Sequence, residues 1–114
     1  MPRTVVVAIR EDPRKSAQAV EALRIALGLA TGENPLTVVL TGEAPRLLAG
    51  DDDAVVDGDI LEKYLPSVRQ MEIPLVIPEG SIKALDLDTD FNLREASPED
   101  IRSLIASADR ALVF

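Results

Sequence analysis

From Thr4 to Ile9 the chain reads Thr-Val-Val-Val-Ala-Ile, a β-branched run with no polar side after its first residue. Such a run fits a strand covered on both faces, as in the middle of a parallel sheet. Arg10-Glu11-Asp12-Pro13 ends it; Asp12 can cap a helix and Pro13 fits a first helical turn. The period then becomes helical, predicting a helix from Arg14 to about Ala30. Val20, Leu23, Leu27 and Ala30 fall on one stripe widened by Ala19, Ala22 and Ala26, while Arg14, Gln18 and Glu21 share another face. Gly32 and Asn34-Pro35 stop it. Leu36 to Thr41 is a second buried strand, followed by Gly42, so the opening third predicts a βαβ unit with a right-handed crossover.

The middle of the chain is less regular. Ala44 to Ala49 can form one or two helical turns before Gly50, and Asp51-Asp52-Asp53 reads as a solvated loop. Helical spacing returns from Asp59 to Met71 through Ile60, Leu61, Tyr64, Leu65 and Val68, with Pro66 expected to kink or split the helix. Ile73 to Ile77 predicts a third strand, with Pro74 near its start, and Pro78-Glu79-Gly80-Ser81 a loop at its carboxyl end. A short helix is expected within 82–89 and a weak strand within 91–96. Ser97-Pro98-Glu99-Asp100 then joins a capping serine, a first-turn proline and two acids at the positive end of a helix. Ile101, Leu104, Ile105 and Ala108 supply that helix's apolar face, and Ala111 to Phe114 a closing strand. The pattern predicts a three-layer α/β/α fold over residues 1–114, a single domain, with a mainly parallel sheet of four or five strands.

Composition narrows the chemistry. Aromatic residues are only 3% (Tyr64, Phe91, Phe114), so the core is aliphatic and no stacking platform for bases is expected. A net charge of -8 repels nucleic-acid backbones and anionic membranes, and no apolar stretch nears the roughly 18 residues that span a bilayer. Met1-Pro2-Arg3 leads into a short apolar run with no cleavage-site pattern, unlike a signal peptide, and a cytoplasmic protein is expected. The chain has no cysteine and no histidine. That excludes thiol nucleophiles and thiolate metal sites within it, and removes the commonest general base near neutral pH. No cofactor is implied.

Ligands of open α/β sheets bind beyond the carboxyl ends of strands, which singles out two loops. In Pro78 to Lys83, Ser81 and Lys83 could hold an anion and Glu79 could act as a lone acid; the plainer reading is a turn leading into a short helix. In Arg10 to Ser16, backbone donors with Arg14 and Lys15 could hold a phosphate, but no glycine-rich turn is present, and a plain helix cap explains the residues as well. Asp51-Asp52-Asp53 with Asp57 and Asp59 lacks the glycine and late glutamate of a calcium loop and reads as solvated acids.

Several stretches, taken with the order of elements, resemble the DsrE/DsrF/DsrH-like family, which includes the Tus sulfur-relay subunits. They are Asp12-Pro13 before a helix carrying Glu21-Ala22-Leu23-Arg24-Ile25-Ala26-Leu27, the strand Thr37 to Gly42, Ile73 to Ile77 with the following Pro78-Glu79-Gly80-Ser81, and the ending Ala108 to Phe114. In that family the third strand leads to a persulfide-accepting cysteine, whose place here falls at Pro78. The resemblance therefore implies a cysteine-free member: a non-catalytic subunit or adaptor, forming homo-oligomers or hetero-oligomers with related subunits. The alternative expectation is a small-anion or nucleotide-binding protein using the loops after strands 1 and 3.

Overall fold

The computed structural model describes residues 3–50 and 54–114. Five strands form one sheet: β1 (Val5–Ile9), β2 (Leu36–Leu40), β3 (Leu75–Pro78), β4 (Leu93–Ala96) and β5 (Arg110–Val113). Their order is β4-β3-β2-β1-β5, and every pairing is parallel. All five residues of β1 are buried, as the unbroken apolar run requires. Between the strands run α1 (Gln18–Ala30), a 3₁₀ helix (Ala44–Leu48), α2 (Gly58–Gln70), α3 (Ser81–Leu85) and α4 (Pro98–Ser107).

The two faces of the sheet are covered unequally. Alternation within β1 sends Val5, Val7 and Ile9 to one side, with Val38, Leu40, Leu75 and Ile77, where α1, the 3₁₀ helix and α2 pack through Leu23, Leu47, Leu61 and Val68. Val6, Ala8, Val39, Val76 and Ala96 face the other side, where among the described residues α4 covers them through Ile101, Leu104 and Ile105, joined by Ala108 just after the helix. The chain steps from β1 to β4 in one direction with its helices on the first face, then returns to β5 across the second. A single hand of crossover demands this arrangement.

Within a residue or two at their ends, the elements match the sequence pattern except in three places. Residues 12–16 do not begin the first helix: the Asp12 carbonyl accepts bonds from the Lys15 and Ser16 amides at 3.0 and 3.1 Å, closing a separate turn, and α1 starts only at Gln18. Arg14 is therefore not on the face of α1 that carries Gln18 and Glu21. Pro66 does not split α2, which runs through it; the ring is exposed, so the hydrogen bond it cannot donate lies on the solvent side. Pro78 ends β3 and is not part of the following loop. The sheet is wholly parallel. The Asp51-Asp52-Asp53 loop lies outside the described residues. At α4 the expected cap is present, with Ser97 Oγ accepting the Asp100 amide at 3.1 Å and Pro98 opening the helix.

Candidate functional site

At the carboxyl edge of the sheet the chain leaves β1, β2 and β3 toward the first face, and leaves β4 toward the second. The crevice of an open α/β sheet is therefore expected between β3 and β4, beside Pro78 to Gly80. Here it is closed. The Glu79 amide donates to the Ala96 carbonyl at 3.2 Å, and the Ile82 amide at the start of α3 donates to Glu95 Oε2 at 3.0 Å. A side-chain carboxylate of the chain itself thus takes a donor that an external anion would have used. Gly80 makes the turn possible, with φ of 86°.

The open space lies one loop away. A cleft of about 250 Å³ is lined by Arg14, Arg46, Ala49, Ala54, Val55, Ala84 and Leu85, drawn from the segments that follow β1, β2 and β3. Its walls follow from local sequence. Pro13 is buried, and its carbonyl accepts the Val56 amide at 2.8 Å, which ties residues 54–56 to the loop after β1. Gly42, with φ of 59°, turns the chain beside the Arg10 carbonyl, where a Cβ would stand 3.5 Å from that oxygen. The following 3₁₀ helix buries Ala44, Leu47 and Leu48 and leaves Arg46 on the rim.

Four charges of alternating sign run along this edge. Asp12 grips Arg14 through three bonds: Oδ1 accepts the Arg14 amide at 2.9 Å and Nε at 3.0 Å, and Oδ2 accepts Nη2 at 2.8 Å. Those bonds to Arg14, with its positive charge, lower the Asp12 pKa from 3.8 to about 2, so the carboxylate stays ionised. Glu43 Oε2 lies 3.7 Å from Arg14 Nη2 and accepts a hydrogen bond from Arg46 Nε. One carboxylate oxygen thus sits against two guanidinium groups.

Of the residues expected from sequence, Arg14 lines the cleft. Lys15, Glu79, Gly80 and Lys83 are exposed, Pro78 and Ser81 are half-buried, and none of these six is part of its lining. Ala84 and Leu85 represent α3 there. Arg46 and Glu95 were missed. Arg46 was legible: it follows Gly42 at the carboxyl end of the second strand, to which the strand-end rule applies as it does to the other two. Nothing local marks Glu95, because its partner Ile82 lies 13 residues away. Among the described residues no three acidic side chains converge as a metal site, and no helix is long and apolar enough to cross a membrane.

No protein-family model matches the chain, and no curated protein matches it. Among solved structures, it is similar to the crystal structure of the YchN protein from E. coli, which has a DsrE/DsrF-like fold. The two superpose over 100% of both chains with a TM-score of 0.74 and 19% identity. At that identity the likeness establishes a shared fold.

Proposed function

We propose that this chain is a non-catalytic DsrE-like subunit or adaptor of a sulfur-handling assembly, acting in the cytoplasm as part of a homo-oligomer or with related subunits. The observation that carries this reading is the correspondence with YchN over the whole of both chains, combined with a sequence that contains no cysteine. A persulfide can form only on a thiolate, so whatever this chain does for such an assembly, it does not hold the sulfur. Pro78 stands at the end of β3 where the resemblance puts the cysteine, and its ring offers neither nucleophile nor proton.

The outer edge of the sheet supports an assembled state. Among the described residues β5 pairs with β1 alone, as an edge strand whose outer side is suited to further pairing. Val113 on that strand is 53% exposed, more than the other exposed large apolar residues, Leu29, Val56 and Met71.

Native mass spectrometry of protein purified gently from its own source tests the reading. The expected result is a complex, either of this chain with itself or with a cysteine-bearing protein of similar size. After treatment with a persulfide donor, the added sulfur should appear on the companion and never on this chain. A protein that stays monomeric and without companions at every concentration would defeat the proposal.

A further inference from the structure

We propose that the cleft between Arg14 and Arg46 binds a small organic carboxylate. The site is independent of the assembly role and would stand if that role failed.

Three features argue for it. First, the cleft lies beyond the carboxyl ends of three neighbouring parallel strands, on the ligand-binding edge of an open α/β sheet though beside its β3–β4 switch point, and each of the three following segments contributes to its wall. Second, among the described residues the two charged side chains of the lining are both arginines, whose planar forks match a carboxylate. Glu43 Oε2 already rests against both, so a carboxylate oxygen fits between them, although Glu43 is not itself part of the lining. Third, the rest of the lining is Ala49, Ala54, Val55, Ala84 and Leu85. Their side chains are all apolar and stand ready to contact the carbon body of a ligand.

Size and charge set the ligand class. At about 250 Å³ the cleft lies just under the roughly 300 Å³ at which pockets for drug-sized ligands begin, which favours a ligand smaller than a nucleotide. Polyphosphates are further disfavoured by the chain's net charge of -8 and by the lack of a glycine-rich loop. A monocarboxylate of a few carbons suits both the paired arginines and the apolar wall.

Asp12 and Glu43 divide the work. Asp12 has a side chain only 14% exposed and holds Arg14 through both of its oxygens, so it orients the guanidinium. Glu43 is half exposed and bound only through exposed ion pairs, which are weak. It is the internal competitor that a ligand carboxylate must displace from Arg46.

Titration of the ¹⁵N-labelled full chain with sodium butyrate, followed by amide and arginine Nε resonances, tests the site, with sodium chloride and inorganic phosphate as controls. Butyrate should shift Arg14, Arg46, Ala54, Val55, Ala84 and Leu85 saturably in the millimolar range. Glu43→Gln should tighten binding by about threefold by removing the weakly held competing charge. Arg46→Gln should abolish saturation while the rest of the spectrum keeps its native dispersion. No saturable shift in either the native chain or Glu43→Gln would overturn the proposal. Shifts reproduced by chloride, or stronger with phosphate than with butyrate, would overturn it as well.

Discussion

The second face of the sheet depends on one helix, and that helix on one fully anchored side chain. Ile101 is 6% exposed and packs on Val6, Val39, Val76 and Ala96, while Leu104 and Ile105 beside it are only partly buried. Ile101→Ala removes three carbons, worth about 2.4 kcal/mol at about 0.8 kcal/mol per buried methylene. A residual cavity raises the cost to about 3 kcal/mol. An unfolding entropy of about 2.1 cal/mol/K per residue gives about 0.24 kcal/mol/K for the 114-residue chain. The melting temperature should therefore fall by about 12 °C. Calorimetry on the isolated chain reads the fall directly, and hydrogen exchange should show the amides of α4 losing protection before those of β1 and β2. The paired variant Ile101→Val should cost only about 1 kcal/mol. A loss below about 1 kcal/mol for Ile101→Ala would contradict this account. It would mean that Val6, Val39 and Val76 are sheltered by something other than α4, and a second subunit lying on that face would be the first thing to look for.

Two further predictions rest on single residues. Asp12 has a folded-state pKa depressed to about 2 from 3.8, so its contribution is complete above the unfolded value and is lost as pH falls toward 2. The stability gap between the native chain and Asp12→Asn, read from urea midpoints, should thus be constant above about pH 5 and close between there and pH 2; a gap that does not change with pH would remove Asp12 from the account. Pro66 sits inside α2 with its ring exposed, so Pro66→Ala restores a helical hydrogen bond and loses no packing. It should stabilise by about 2 kcal/mol, the helical gain being partly offset by a freer unfolded chain, and raise the melting temperature by about 8 °C. A drop on the same measurement would show that the proline is needed where it stands.

Much of this protein was decided locally and could be read locally. Val5 to Ile9 and Leu36 to Leu40 are short, almost wholly apolar runs rich in β-branched residues, which read as strands buried on both sides and so imply a parallel sheet covered by helices. Ser97-Pro98-Glu99-Asp100 marks a helix start by chemistry alone, because a cap bond, a preset φ and two acids at the dipole's positive end all involve neighbours within one turn. The missing cysteine likewise needs no structure to be known. Tertiary structure decided what depends on residues distant in sequence. Whether Asp12 would cap α1 or close a turn of its own turned on Pro13, which is buried and bound to Val56, 43 residues away. Pro66 survives in α2 because the face it would disrupt points to solvent, and which face that is depends on how α2 lies on the sheet. The loop after β3 stands at a strand end, as the sequence pattern implies. Glu95, brought alongside by the β3–β4 pairing, fills its donor, and the open cleft forms instead where Arg14 and Arg46 meet across β1 and β2. Sequence periodicity reports what each segment buries, but it carries no record of which loops become neighbours, and that adjacency is what makes a site.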